Sequence, residues 1–299
     1  MNGTDQQRGI RAGVLAYLIW GLLTIYWKRL ADFDPVELIG WRIVTATIVM
    51  AVVITARRSW PVVRGALADR SSLRWIVGAS VLLTGNWGAY VYAVVHGRVL
   101  ETALGYFMAP LGTMAVGILV LGEHPTRAQK ASMVLAAAAI VELTVSYGRV
   151  PVAALVIAVS WTFYGLCKRH IPLGGVDSFA AESFVLVVPA IVAVAALASR
   201  GDSIPRSGSA GELTLMAFSG VATAVPLSLF AFAAMRVPFT ILGPIQYLVP
   251  IINLVLGWLV YDEQMPASRL VGFGLVWIAL VLVTVDRIRV NSAARLATS

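Results

Sequence analysis

Arg42, Glu142 and Glu182 are charged residues set inside otherwise apolar stretches. A charge in that setting binds a partner, moves a proton or reaches for the membrane surface. Placing one at the centre of a membrane helix costs on the order of 2.5–3.5 kcal/mol, and much less near an end. Glu142 lies near the end of its stretch and Glu182 about four residues into another, so both are placed to snorkel. Arg42 sits about seven residues in, and we expect it to have a functional or gating partner. Arg42 and Glu182 stand 140 positions apart with opposite charges. At about 1.5 Å per residue from opposite surfaces, they differ in depth by about 10 Å or more, so they need not pair directly.

Uncharged polar residues form a second pattern. Gln246, Pro250, Asn253 and Gly257 follow the spacing i, i+4, i+7, i+11 and share one helical face. Subtracting 140 gives Tyr106, Pro110, Thr113 and Gly117, with the same polar and small character. Such a face lines a cavity, with proline freeing a carbonyl, or it forms a small-residue packing seam. Asn86 and Tyr90, at i and i+4, read either as site residues or as an interhelical hydrogen-bonding pair. Together with Trp20, Trp161 and Arg42, the residues Tyr106, Gln246, Asn86, Tyr90 and Asn253 make the candidate substrate-binding set. Glu182 is the candidate for coupling.

Other chemistries find no support in the pattern. The lone Cys167 cannot form an internal disulfide, and His96, His124 and His170 fall near loops at no metal-binding spacing. Neither GxSxG, HExxH, a paired-aspartate motif nor a P-loop is present, so no cofactor, metal or ATP drive is expected. Trp27, Trp258 and Tyr261, near the ends of apolar stretches, read as interfacial anchors.

The elements that must position these residues are membrane helices. Of the 299 residues 59% are hydrophobic and 13% charged, and the mean hydropathy is +0.83. Soluble domains run at roughly 45–50% apolar and about 25% charged. Ten apolar stretches fall near 10–29, 35–56, 73–95, 99–122, 128–147, 150–168, 178–199, 212–235, 239–261 and 267–286. Val14–Trp27 ends in Lys28-Arg29 without a small-residue cleavage pattern, so it reads as a first membrane helix that stays attached. The intervening segments are short, the longest being the basic run Arg57–Arg74 and the Gly/Ser-rich Arg200–Gly211, read as a flexible loop.

The net charge of +8 is scattered through the loops, which fits the positive-inside rule and gives no nucleic-acid patch. The N-terminus, alternate loops and C-terminus hold fifteen of the 23 basic residues, the opposite loops seven, and Arg42 is the last. Both termini are therefore expected in the cytoplasm, with the chain spanning the inner membrane.

Two motifs recur with an offset of about 140. Pro110 precedes Glu123 by 13 positions, as Pro250 precedes Glu263. Trp20 precedes Lys28 by eight, as Trp161 precedes Arg169. The chain reads as a duplication of one five-helix unit, residues 10–147 and 150–287. An odd number of spans inverts the second unit, a design of secondary transporters with substrate bound between the halves. The expected fold is all-α and integral to the membrane: ten transmembrane helices in two inverted five-helix repeats.

The stretches AYLIWGLLTIYWK (Ala16–Lys28), NWGAYVYAV (Asn86–Val94), LGYFMAPL (Leu104–Leu111), FYGLCKR (Phe163–Arg169), TAVPLSLFAFA (Thr223–Ala233) and LGPIQYLVP (Leu242–Pro250) carry a family likeness. The sequence resembles the RarD branch of EamA-type transporters in the drug/metabolite transporter superfamily. That resemblance implies two inverted EamA repeats and transport of small metabolites or drugs. Ala109 stands where the resemblance leads us to expect Asn, and Ile251 where it leads us to expect Thr, both beside the polar stripes. Four-helix relatives in the superfamily exchange protons through a glutamate in their first helix; the first span here has no acidic residue. If protons drive transport, Glu182 is the first candidate; transport down the substrate's own gradient is the favoured expectation. The function expected is secondary transport of a small molecule by alternating access, with a passive channel or an intramembrane enzyme as alternatives. Membrane lipids and the small-molecule substrate are the expected partners, and the oligomeric state is left open.

Overall fold

In the computed structural model, which describes residues 3–119, 124–234, 236–237 and 245–296, the chain is helical, with no strand among the described residues. The helices are α1 (Gly3–Lys28), α2 (Pro35–Ala56), α3 (Trp60–Ala68), α4 (Arg70–Val95), α5 (Val99–Leu119) and α6 (Arg127–Tyr147). They continue with α7 (Val152–Lys168), α8 (Gly175–Leu197), α9 (Ile204–Ser207), α10 (Ala210–Ala234), α11 (Leu248–Val255) and α12 (Ala267–Leu296). A π turn, Leu256–Val260, extends α11. Seven of them, α1, α2, α5, α6, α8, α10 and α12, are long and apolar enough to cross a membrane. The helices α7 and α11 are apolar but shorter, and α4, at 26 residues, opens on the polar run Arg70, Ser71, Ser72, Arg74.

Local sequence sets the helix ends. Asp34 accepts from the Val36 amide at 2.8 Å with Pro35 as first helical residue, so α2 starts where its orphan donors are met. Asp69 does the same for α4 through the Ser72 amide, 2.9 Å. Thr126 and Gln129 form a reciprocal capping box for α6, and Gly148, at φ 64°, closes that helix in the left-handed conformation. Pro110, Pro189 and Pro226 lie inside helices, which a bundle tolerates because neighbouring groups re-satisfy the freed backbone.

The first six helices pack mainly against the later ones. The helix α1 lies against α10 and α11, α2 against α8 and α10, α4 against α7 and α8, α5 against α7 and α11, and α6 against α12. The pair α2 and α8 runs antiparallel: a Cβ at Gly40 would meet Val194, while Thr47 donates to the Ser183 carbonyl at 3.1 Å. The same holds for α6 and α12, joined by Thr126 to Asp286 at one end and Ser146 to Ser268 at the other.

Two segments expected as loops are structured. The basic run after α2 contains α3, which buries Val63 and Ala66 and stacks Trp60 on Phe184 at 5.4 Å. The segment read as flexible contains α9, with Ser203 and Ile204 buried and the Ile204 amide donating to both oxygens of Glu37. Each nucleates where an apolar residue finds a ready partner. Trp27 is not an interfacial anchor: it is 1% exposed, because α4, α10 and α11 all cover α1. Glu123 and residues 239–244 of the ninth stretch lie outside the described residues.

Candidate functional site

Hydrogen bonds between helices converge where α1, α4, α5, α7 and α11 meet. Thr24 on α1 donates to Asn253 Oδ1 on α11 at 2.7 Å and shares a 2.7 Å hydrogen bond with the Tyr90 hydroxyl on α4. Asn253 Nδ2 donates to Thr102 on α5 at 3.0 Å, so the fully buried amide is satisfied on both sides. Asn86 donates to the Ile157 carbonyl and to Ser160, each at 3.1 Å, and accepts from the Tyr106 hydroxyl at 3.3 Å. These are interhelical ties, which account for Asn86, Tyr90 and Asn253 as packing residues whatever else they do.

An aromatic row continues from there. Tyr90 and Tyr106 rings stand 6.0 Å apart, Tyr106 and Trp161 6.4 Å, Trp161 and Tyr164 5.7 Å. Trp20 packs with Tyr17 and Phe230 at 5.2 and 5.8 Å, and its cluster also includes Tyr106. Arg42 is 3% exposed. Its guanidinium lies 4.0 Å from the Trp87 ring and 5.3 Å from Trp27, and Nε donates to Thr223 on α10 at 3.0 Å. Trp27, Trp87 and Tyr90 belong to one buried cluster, against which Tyr26 and Tyr106 pack.

Gln246 stands apart from this group. It is half-buried in the turn before α11, and its side chain makes no hydrogen bond to a described residue. The stripe read from spacing is thus broken at both ends, by the turn at Gln246 and by the π turn that carries Gly257. In the matching stripe, Tyr106 and Pro110 are partly buried and Thr113 is exposed, while the burial of Gly117 lies outside what is described.

Glu182 corrects the sequence expectation more sharply. It does not snorkel; it is fully buried, because α4 packs against α8 and the Tyr164 and Lys168 side chains reach across from α7. Lys168 Nζ meets its Oε1 at 2.6 Å, Ser178 donates to the same oxygen at 2.9 Å and the Tyr164 hydroxyl donates to Oε2 at 3.1 Å. Lys168 stands at the expected helix end, but nothing in the spacing identified it as the partner. Thr24, Trp87 and Thr223 were also missed; each lies within a family-like stretch, and only the packing brings them to Tyr90, Asn253 and Arg42.

A bundle of apolar helices that buries charged and polar side chains at its centre defines an integral membrane protein. Known proteins make the class more specific. The model of the EamA-like transporter family matches residues 7–145 and again 149–285. Protein RarD of Streptomyces exfoliatus is 39% identical over 291 residues, covering 97% of this chain and 92% of that one. The uncharacterized transporter YojE of Bacillus subtilis (strain 168) is 32% identical over 299 residues, covering 99% of each. A solved crystal structure shares the fold, with a TM-score of 0.60 and 17% identity over 94% of this chain and 98% of the other. The chain belongs to the EamA-like transporter family, as a RarD-type membrane transporter of the drug/metabolite kind.

Proposed function

We propose that the chain is a secondary transporter of a small metabolite or drug, working by alternating access of two inverted five-helix halves in the cytoplasmic membrane. The halves are α1, α2, α4, α5, α6 and α7, α8, α10, α11, α12, which makes ten spans. The carrying observation is the pattern of helix pairs. Exchanging the halves turns α1–α10 into α7–α4, α1–α11 into α7–α5, and α2–α10 into α8–α4, while α2–α8, α5–α11 and α6–α12 map onto themselves. The exchange extends to single residues: a Cβ at Gly21 would meet Ile252 at 2.6 Å, and one at Gly112 would meet Thr162 Oγ1 at 2.5 Å. The antiparallel run of α2 against α8 and of α6 against α12 supports inversion, since an axis in the membrane plane reverses each helix relative to its mate.

Such symmetry supplies two exchangeable states, inward- and outward-open, which a passive channel does not need. Tyr106, Trp161, Tyr90 and Arg42 are the side chains we assign to the pathway, with Gln246 at its edge. The basic asymmetry of the loops supports a cytoplasmic position for both termini. The test is uptake into proteoliposomes of compounds that first raise the melting temperature of the purified protein. Saturable uptake, accelerated by unlabelled substrate on the far side, is expected. Linear, non-saturating flux marks a channel, and a chemically altered product marks an enzyme.

A further inference from the structure

We propose that Arg42 is an anion-binding residue and that the transported compound is a carboxylic acid of single negative charge with an aromatic or apolar body. The word "transported" rests on the reading above; the anion site does not. Arg42 takes part in no ion pair among the described residues, and its two terminal nitrogens donate to none of them. Stacking on Trp87 and Trp27 and the single contact to Thr223 return only part of the desolvation cost of an unpaired buried ion. The balance is left for a partner that is not part of the described chain.

The buried carboxylates of the bundle are committed elsewhere. Glu182 is held by Lys168, Glu101 by Arg149 through Oε1, and Glu37 by the Ile204 amide, while the half-buried Glu263 accepts from the amides of Val99 and Leu100. Of the fifteen acidic residues only Glu123 lies outside the described residues. A planar guanidinium with two free nitrogens presents the fork that a carboxylate fits with both oxygens. One uncompensated positive charge calls for one negative charge; a dianion would leave a second charge buried and unpaired. An ammonium group would need a free carboxylate, so an amine-free acid fits better than a zwitterion. The rings of Trp27 and Trp87 lie on the guanidinium, and Tyr90 and Tyr106, from the same packed cluster, offer further aromatic faces to an apolar body.

Benzoate, its isosteres benzamide and benzylamine, and inorganic phosphate serve as probes on the full-length protein in detergent. Tryptophan fluorescence and melting temperature are the readouts, since two tryptophans touch the guanidinium. Benzoate is expected to give a saturable change and a higher melting temperature, the other three none. Arg42→Lys, which keeps the charge and loses the fork, is expected to weaken benzoate at least tenfold, and Arg42→Gln to abolish the response. The wild-type comparison needs no variant to fold. Equal response to benzamide or benzylamine, no saturable benzoate response, benzoate binding unchanged in Arg42→Lys, or an equal response to phosphate overturns the proposal. Arg42-dependent benzoate binding without any flux sinks the transporter reading alone. Flux of a neutral or cationic solute without anion binding sinks this proposal alone.

Discussion

Arg42 and Glu182, 140 positions apart, lie on helices packed against each other, yet of the two only Glu182 has an ion-pair partner among the described residues, Lys168 at 2.6 Å. The α2–α8 register explains why they do not pair. Thr47 lies opposite Ser183 and Gly40 opposite Val194, so Arg42 and Glu182 are offset by about six residues, roughly 9 Å along the axis. The proposed repeat would thus set unlike charges at equivalent positions, and it leaves Arg42 without a counterion among the described residues.

Helix crossings this close should be intolerant of a methyl group. A Cβ on Gly220 would press into the Thr45 backbone, whereas one on Gly85 meets nothing within 4 Å. Gly220→Ala is expected to destabilise by about 1–3 kcal/mol, because backbone cannot step aside as a side chain does. Gly85→Ala is expected to be neutral or to stabilise by up to about 1 kcal/mol through helix propensity. Thermal melting of the two variants side by side checks this; equal melting temperatures refute the close α2–α10 crossing.

The ten-span topology makes an independent prediction. Reporter fusions after Arg74 and after Ser299 should both report cytoplasm. Trp60 on α3 stacks on Phe184, and Ser59 donates to Asp177 at 2.8 Å, which ties the Arg57–Arg74 segment to the start of α8. Those two regions must therefore share a side. An extracytoplasmic signal at either fusion would contradict both the topology and the inversion.

The spans were legible because apolar length and punctuating Pro, Gly and charged residues are written locally, as at Asp34-Pro35 and Thr126 to Gln129. The short helix α3 was not, since nine residues set within the basic run Arg57–Arg74 look like part of a charged loop until Phe184 lies beneath Trp60. Hydropathy counted Glu182 from the nearer helix end and found it shallow; its burial depends on Lys168 and Tyr164, which arrive from another helix. The polar stripe on α11 failed for a related reason, because a turn and a π segment change the helical phase at Gln246 and Gly257. Asn86 and Tyr90 were legible as an interhelical pair, but Ser160 and Thr24 as their partners were not.

Tyr106 and Gln246, matched by the proposed repeat, are both partly exposed. Cysteine at either position is expected to react with a small water-soluble thiol reagent, with Cys167 replaced by alanine so that it does not contribute. Bound substrate should slow the reaction several-fold at both sites. Inaccessibility at both positions in a transport-competent protein would leave the stripes as packing seams.

The final prediction concerns Glu182 and energy coupling. Its negative charge is balanced inside the protein by Lys168, with Ser178 and Tyr164 filling the remaining acceptor positions. Breaking a buried pair from one side leaves an uncompensated charge, at a cost of about 3–5 kcal/mol. Lys168 keeps a quarter of its side chain exposed, so Glu182→Gln should fall at the low end, about 3 kcal/mol. The double variant Glu182→Gln with Lys168→Met should recover most of that loss, since it removes both charges. A carboxylate that serves as a structural counterion has no need of a transported proton, so the protein-dependent part of uptake, after subtraction of protein-free liposomes, should be indifferent to an imposed pH gradient once membrane voltage is clamped. The double variant should then transport with the same indifference. Uphill accumulation driven by the pH gradient in the wild type, lost in the stable double variant, would overturn this reading and make Glu182 the coupling residue.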